Sequence, residues 1–357
     1  MSSIIYSYGH ARQHSFDKAV VLRRAALGIG GWPVNQGFGF DRDVPRDGYV
    51  WWYLDAVSDD GEHALTLIAF VGSVFSPYYA WARRWAGAAG ADPNQHCAFN
   101  VGLYDLTHDR RHGNVWTMTE RGAAAVQRTA QHFRVGPSAL QWQDNTLVAT
   151  INEIAAPWPQ RVKGRIRLTP SADVSTTDHS VAIDAAGQHL WQPIAPTARV
   201  EVEFDHPGMQ WTGHAYLDSN YGATPLETSF KKWQWSRGTL ADGSTAVRYD
   251  VTLRDGRKRQ VARRYAESGA MSEMTPELAT PMTGTRWGIE RACHSSGPSA
   301  PTVSATLESG PFYARSLIDT QWFNEPVAAV HESLSLTRFA NPIVQGMLPF
   351  RMPRRSR

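Results

Sequence analysis

The chain of 357 residues has two cysteines and lacks a glycine-rich phosphate loop. Cys97 and Cys293 lie far apart and outside any Cys-x-x-Cys spacing. This excludes a zinc site built from cysteine pairs and gives no indication of a disulfide framework, so a reducing compartment is the default expectation. Because no glycine-rich segment stands between a predicted strand and a predicted helix, nucleotide binding has no support in the sequence.

Strong charge and obvious targeting segments are also missing. The formal net charge of +3 is small for this length, so the chain lacks the electrostatic pattern of a nucleic-acid-binding protein. The N-terminus has no basic region followed by an apolar core, and we therefore expect no secretory signal. The uncharged run 64–82 approaches the length of a membrane span, but Gly72 and Pro77 interrupt it. We interpret this run as a buried strand followed by an apolar loop or short helix.

Two common kinds of catalytic motif are absent as well. No Gly-x-Ser-x-Gly segment occurs, so the usual local sign of a hydrolase nucleophile is lacking. His108 and His112 have a spacing that can bind zinc on a helix. However, the intervening residues lack the glutamate of His-Glu-x-x-His and resemble a turn, so we predict neither a metal site nor any cofactor.

The sequence does contain many aromatic residues and repeated turn signals, with 14 tryptophans among its residues. Asp-Gly pairs recur beside alternating or apolar segments, which is typical of antiparallel hairpins. We predict a mainly β protein built of antiparallel barrels or sandwiches with few short helices. The predicted helices are 15–26, 77–89 and 121–131. The predicted strands are 49–56, 63–71, 97–106, 113–119, 139–143, 146–153, 161–168, 198–204, 209–219, 228–236, 246–254, 258–265, 283–291, 302–307 and 331–337.

A short internal echo suggests how these domains are arranged. Trp-Tyr-Leu-Asp at 52–55 is similar to Ala-Tyr-Leu-Asp at 215–218, and both precede a turn-rich segment. The spacing is close to half the chain. We therefore predict an N-terminal β-domain over 1–194 and a C-terminal β-domain with a basic tail over 195–357.

The predicted strand 209–220 carries the most distinctive chemistry. Because side chains alternate across a strand, one face has Trp211 and Leu217 and belongs to a core. The other face presents His214, Tyr216 and Asp218 at steps of two. On a solvated face such a row has no special meaning, whereas inside a barrel it is a line of proton donors and acceptors at low dielectric.

The strand 49–56 has a similar alternation, with Trp51, Tyr53 and Asp55 on one face. Asp55 is a candidate second catalytic carboxyl. It is equally able to accept hydrogen bonds in the following turn, and we favour that structural role.

Four segments stand out, namely Gly-Tyr-Val-Trp-Trp-Tyr-Leu-Asp-Ala at 48–56, Trp-Gln-Pro at 191–193, Gly-His-Ala-Tyr-Leu-Asp-Ser-Asn-Tyr-Gly at 213–222 and Pro-Leu-Glu at 225–227. Together they resemble the carotenoid 1,2-hydratases, also called hydroxyneurosporene synthases. The resemblance implies two lipocalin-like domains without metal or organic cofactor, and hydration of a terminal double bond of acyclic carotenes such as neurosporene and lycopene. It also implies roles for an aspartate, a tyrosine and a tryptophan, which map to Asp218, Tyr216 and Trp191.

The residues suit this chemistry. Adding water to an unactivated alkene requires a strong proton donor, and burial raises the pKa of a carboxyl so that it keeps its proton. We predict Asp218 as the acid, Trp191 as the stabiliser of the tertiary cation and Tyr216 as the group that fixes Asp218 or orients water. His214 is a possible proton relay, or simply a satisfied strand histidine. The predicted substrate-binding residues are Trp51, Tyr53, Trp233 and Trp235.

A long hydrocarbon substrate also bears on location and on the alternatives. We expect an apolar tunnel open to the membrane or to a domain seam, and peripheral contact through 72–85 with the cytoplasmic side of the photosynthetic inner membrane. An acid-initiated isoprenoid cyclase and a non-catalytic lipid or carotenoid carrier remain alternatives. The oligomeric state is not predicted.

Overall fold

The computed structural model describes residues 39–107, 113–174, 180–275 and 278–355. These residues belong to one compact unit, Phe38–Arg357. The helix predicted at 15–26 and the histidine pair His108 and His112 lie outside the described residues.

Short helices join a large number of strands. The α-helices are α1 Pro77–Ala86, α2 Leu226–Ser229, α3 Leu336–Phe339 and α4 Pro342–Met347, and the 3-10 turns are Gly87–Ala89, Pro93–Gln95, Ala123–Ala125 and Leu348–Phe350. The strands are β1 Tyr49–Ser58, β2 His63–Val71, β3 Cys97–Asp105, β4 Val115–Arg121, β5 Val126–Thr129, β6 His132–Val135, β7 Ser138–Gln143, β8 Thr146–Ile154, β9 Arg161–Pro170, β10 Val181–Ala182, β11 His189–His206, β12 Met209–Gly222, β13 Phe230–Thr239, β14 Thr245–Leu253, β15 Lys258–Tyr265, β16 Met271–Glu273, β17 Thr280–Met282, β18 Arg291–Cys293, β19 Thr302–Ser309, β20 Tyr313–Trp322, β21 Glu325–Ser335 and β22 Arg354–Arg355.

The predicted mainly antiparallel β class is confirmed, and Asp-Gly turns account for several of its hairpins. Gly61, Gly243 and Gly256 have φ values of 72°, 80° and 90° in the turns after β1, β13 and β14. A positive φ costs glycine little, which explains why these pairs mark hairpins.

Two predicted elements are wrong. The segment 121–131 contains only a 3-10 turn and β5, because its β-branched residues pair with β6 rather than form a helix. The strand predicted at 283–291 is mostly a turn, in which Gly288 has a φ of 70°, between β17 and β18.

A 13-stranded sheet in the described part of the chain runs in the order β22-β4-β3-β2-β1-β12-β11-β9-β8-β7-β6-β5, with β10 paired to β11. One apolar core joins strands from distant positions in this order, for example Val101 on β3, Phe133 on β6 and Leu217 on β12. The sheet therefore curls around this core.

A second sheet of seven described strands, ordered β16-β15-β14-β13-β21-β20-β19, packs on the other face of the first. The contact is a separate aromatic core in which Trp51 and Tyr216 of the first sheet meet Trp235 and Tyr249 of the second. This seam buries Trp51, Trp191, Trp233 and Trp235, whereas the core inside the curled sheet buries Trp52 and Trp211.

The longest strand, β11, bends beside this seam. Its register against β12 shifts between Pro193 and Ala195 and again between Ala195 and Ala198. Such irregularities bend a strand and re-aim its side chains. The predicted domain boundary between residues 194 and 195 falls within this strand, and the division into two domains stays a prediction.

The echoed segments at 52–55 and 215–218 lie side by side in the first sheet. In the antiparallel pairing of β1 with β12, Tyr53 faces Asp218 and Asp55 faces Tyr216. The echo therefore places two similar polar rows next to each other at the seam.

Helix α1 covers one end of the seam and confirms the prediction at 77–89 apart from its last turn. Ser76 caps it by accepting backbone hydrogen bonds from Tyr78 and Tyr79, and Pro77 occupies the first turn. Tyr79 is fully buried, whereas Trp85 near the other end is 86% exposed.

Candidate active site

The polar row of β12 divides into an exposed part and a buried part. Gln210 and Thr212 are exposed and His214 is half-exposed, whereas Tyr216 and Asp218 are buried. The opposite face, including Trp211 and other apolar residues, packs into the core of the curled sheet as predicted. The buried part of the row faces the second sheet.

Asp218 is held by the two residues that were predicted to act with it. Its Oδ2 accepts hydrogen bonds from Trp191 Nε1 and from Tyr216 Oη, each at 2.7 Å. The Trp191 N–H also lies 3.1 Å from Tyr216 Oη. Asp218 Oδ1 is buried and has no hydrogen-bond partner among the described residues.

Burial makes this carboxyl an unusually weak acid. Desolvation raises the pKa of Asp218 to about 8, although the hydrogen bonds from Tyr216 and Trp191 act in the opposite direction. Burial likewise raises the pKa of the Tyr216 phenol well above its ordinary value, so its O–H remains a donor. Because Oδ2 already accepts two donors, the proton of a neutral Asp218 resides on Oδ1.

Asp218 lines a narrow inner chamber between the two sheets. All four predicted substrate-binding residues line the same chamber, which is also bounded by Tyr249 and Glu332. The chamber wall is formed by Trp51, Tyr53, Trp233 and Trp235. These rings pack edge to face or at a tilt, as for Tyr53 and Trp235 at 5.2 Å between centroids.

Trp191 differs from these four rings because it is not among the residues that line the chamber. Its indole is fully buried, with its ring centroid 5.0 Å from that of Tyr249. The part of Trp191 that contacts Asp218 is its N–H group. Its predicted role in stabilising a cation stays a prediction.

The inner chamber adjoins a larger cavity with a mainly apolar lining. Ile68, Phe75 and Glu332 line both spaces and therefore mark their junction. The outer cavity is also lined by Met347 and Phe350, which are exposed at the surface. The outer cavity therefore reaches from the surface to residues that border the chamber of Asp218.

A buried ionic cluster lies at the junction. Tyr53 Oη donates a 2.8 Å hydrogen bond to Glu332 Oε1. Arg315 donates to the same oxygen from Nε at 2.9 Å and from Nη2 at 2.8 Å, and it also pairs with Glu308 at 2.7 Å. A single buried arginine thus faces two carboxylates.

Two predicted auxiliary residues lie outside the chamber lining. Asp55 is buried and pairs with Arg237 of β13 through Oδ1, with a distance of 2.9 Å to Nε. This ion pair ties the two sheets together, and Asp55 takes no part in the turn that follows β1. His214 lies 4.0 Å from Asp59 at the surface, and burial together with Arg199 lowers its pKa.

Sequence reasoning missed several residues of the chamber, among them Tyr249 and Glu332. Both lie on strands of the second sheet, far in sequence from β12. Only the pairing of the two sheets brings them to Asp218, and the sequence gives no local sign of that pairing. The strand β20, which supplies Arg315, was not predicted at all.

No group of three or more histidine, cysteine, aspartate or glutamate side chains within the described ranges is arranged to hold a metal ion. In the same part of the chain, none of the helices combines the length and apolar character needed to cross a bilayer. The predicted apolar run 64–82 forms β2, a short connection and the start of α1.

Two solved structures show the same fold at low sequence identity. The crystal structure of an AttH candidate from Nitrosomonas europaea has a TM-score of 0.60 at 17% identity and covers 86% of this chain and 97% of its own. The structure of CghA with Sch210972 has a TM-score of 0.51 at 12% identity and covers 86% of this chain and 94% of its own. These similarities support the lipocalin-like β architecture and nothing more specific.

Sequence comparisons are more specific. The chain is 48% identical to an acyclic carotenoid 1,2-hydratase from Thiocapsa roseopersicina, over 91% of this chain and 78% of that protein. It is 46% identical to the protein of the same name from Rubrivivax gelatinosus, over 89% and 76%. The family model described as carotenoid hydratase CrtC matches residues 67–357. The chain therefore belongs to the carotenoid hydratase family, a group of hydro-lyases.

Proposed function

We propose that this protein adds water across the terminal C1=C2 double bond of acyclic carotenoids such as neurosporene and lycopene, giving a 1-hydroxy tertiary alcohol. The observation that carries the proposal is the position of Asp218, a buried carboxyl that Trp191 and Tyr216 hold against an aromatic chamber and whose pKa is raised by burial to about 8. The names of the relatives supply the substrate class.

Protonation is the first step. The neutral carboxyl of Asp218 transfers its proton from Oδ1 to C2 of the alkene, which leaves a tertiary cation at C1. Trp191 and Tyr216 keep their hydrogen bonds to Oδ2. These bonds become stronger as the carboxylate forms, so they favour the transition state over the resting acid.

Stabilisation of the cation falls to the rings of the chamber. Each indole face attracts positive charge, and in a desolvated site such a contact is worth about 2 kcal/mol. Trp233 and Trp235 line the chamber beside Asp218 and offer no nucleophile that traps the cation. Trp191 contributes mainly through its N–H group.

The exposed apolar side chains around the outer cavity support association of this protein with a membrane. Trp287, Met347 and Phe350 line the outer cavity and are 43%, 44% and 72% exposed. Ile343, one turn before Met347 on α4, is 76% exposed. We propose that this rim, and not the whole of segment 72–85, contacts the bilayer that holds the substrate. In that segment only Trp85 presents a large exposed ring.

The experiment that tests the function is incubation of the purified protein with lycopene in detergent micelles, followed by mass spectrometry. A product heavier by one water supports hydration. A product with the mass of lycopene and fewer double bonds identifies the cyclase alternative. Binding of lycopene with return of unchanged material identifies the carrier alternative.

A further inference from the structure

Glu332 lies where the outer cavity meets the inner chamber, and it lines both. It shares the chamber with Asp218, which the proposed function uses as the acid. A hydration also needs a group that orients the attacking water and takes its surplus proton. We propose that Glu332 is this general base, an inference that rests on the proposed function.

The two oxygens of Glu332 have different surroundings. Oε1 accepts from Tyr53 Oη and from two nitrogens of Arg315, at 2.8 to 2.9 Å. Oε2 accepts no hydrogen bond in the described part of the chain, and the side chain is 12% exposed. The three donors fix the orientation of the carboxylate, which leaves Oε2 available to a water molecule.

The charge around Glu332 suits a base that acts beside a cation. Arg315 is 1% exposed and faces both Glu332 and Glu308. One guanidinium therefore balances two carboxylates, and the cluster keeps an excess of negative charge at low dielectric. This excess attracts the cation that forms in the adjoining chamber.

Asp218 gives its proton to C2, and the electron pair of the double bond forms the new C–H bond. The oxygen of water donates an electron pair to C1 and forms the C–O bond, while one water proton passes to Glu332 Oε2. A proton then returns from Glu332 to the Asp218 carboxylate through water in the chamber that both residues line, and no oxidant or cofactor is consumed.

Protonation and water capture are separable by isotope exchange. When the cation reverts to the alkene in D₂O, some of the recovered lycopene retains deuterium at C2. A variant that protonates the substrate but cannot activate water exchanges without hydrating. We therefore measure both the hydrated product and the deuterium content of the recovered lycopene, using detergent micelles in D₂O.

Glu332→Gln is expected to hydrate about 100-fold more slowly than the native protein. Its ratio of deuterium exchange to hydration is expected to rise by about tenfold or more, because Asp218 can still protonate the alkene. Asp218→Asn is expected to lose both reactions. Glu153→Gln serves as the matched control, with hydration and ratio close to native, because Glu153 pairs with the buried Arg121 in the first sheet and lines neither the outer cavity nor the inner chamber.

Glu332→Asp protects the test from a folding defect, because it keeps the carboxylate and its charge. It withdraws the base by one methylene group, so the ratio is again expected to rise. An unchanged ratio in both folded Glu332 variants overturns the role of Glu332. Absence of any hydration by the native protein instead refutes the proposed function, so the two failures are distinguishable.

Discussion

Tyr53 and Asp218 face each other across β1 and β12, yet the Tyr53 hydroxyl donates to Glu332 and not to Asp218. Asp218 takes its own donors from Trp191 and Tyr216. The chamber therefore holds two carboxyl groups with separate supports, one beside uncharged donors and one beside an arginine. Pairs of carboxyls in such contrasting surroundings are the usual basis for dividing acid and base roles.

The proposed acid role predicts a large effect from a nearly isosteric change. Asp218→Asn removes the transferable proton and is expected to reduce the hydration rate by at least about 100-fold, in the range for loss of general acid catalysis. Product formation from lycopene measures this effect, with circular dichroism as the control for folding. A folded variant with near-native turnover contradicts the assignment.

The same substitution is expected to stabilise the protein at neutral pH. Burial raises the pKa of Asp218 to about 8, so the folded state holds a proton that the unfolded state has released above about pH 4. The unfolding free energy contributed by this group thus decreases as pH rises from about 4 to about 8, and it is constant beyond.

The asparagine side chain that replaces this carboxyl does not titrate, and the gain from Asp218→Asn is expected to grow over that pH range to about 2 kcal/mol or more. Urea unfolding of both proteins at pH 5, 6.5 and 8, all within roughly the titration range of the carboxyl, measures the difference. A gain that is constant with pH argues against the raised pKa.

The hydration rate is expected to fall above a pH of about 8, because ionised Asp218 has no proton to give. Acyclic carotene hydrocarbons carry no ionisable group, so the alkaline limb reports the protein alone. Initial rates measured from pH 6 to pH 10, about two pH units on each side of the pKa of Asp218, locate this limb. A rate that stays constant through pH 10 contradicts the proposal.

Trp191→Phe tests the N–H group while an aromatic ring remains. Loss of the hydrogen bond at 2.7 Å to Asp218 removes a stabiliser of the carboxylate, so the pKa is expected to rise further. The alkaline limb then moves to higher pH, and the rate at neutral pH falls about 10-fold because Asp218 is less well oriented. If Trp191 acts only on the cation through its ring, the limb stays in place.

Trp211→Phe is the matched control for that variant. Trp211 lies on the opposite face of β12, in the core of the curled sheet, and its indole N–H has no hydrogen-bond partner among the described residues. The substitution is expected to leave the position of the alkaline limb unchanged.

The proposed bilayer contact predicts that the double variant Ile343→Ser and Phe350→Ser binds vesicles about 10-fold less strongly, since two large apolar side chains no longer enter the interface. Flotation with phosphatidylglycerol vesicles measures this effect. Leu278→Ser is the control. Leu278 is 92% exposed, but it lies at the open end of the β17–β18 hairpin, whereas Trp287 of the rim lies at the tip of that hairpin. Equal binding by the double variant and the native protein contradicts the contact.

Sequence reasoning was most successful where local patterns determine structure. Alternation along β1 and β12 predicted which faces of these strands share a core, and the Asp-Gly pairs marked hairpins. It also selected Trp191, Tyr216 and Asp218, which hydrogen bonds join in the structure, and their catalytic roles stay predictions. These residues lie on two adjacent strands, so a family resemblance in short segments was sufficient to find them.

The remaining features depend on packing between sheets. Alternation cannot say whether a polar row faces solvent, the inside of a barrel or a second sheet, and here one row is exposed at Thr212 and buried at Asp218. Arg237 converts Asp55 into an ion pair across the seam. Glu332 and Arg315 are brought to the chamber by β21 and β20, and nothing near them in sequence indicates a site.

The outer cavity lies between the exposed Met347 and Phe350 and the chamber that carries the acid, so a long symmetrical substrate reaches Asp218 from that side. Under the proposed function, lycopene enters end first and presents a single terminus per visit. To react at its second terminus the molecule must leave, turn around and bind again. The singly hydroxylated compound is therefore released as a free intermediate. The fraction of the early product that carries only one hydroxyl group reports how well this compound competes with unreacted lycopene for the protein.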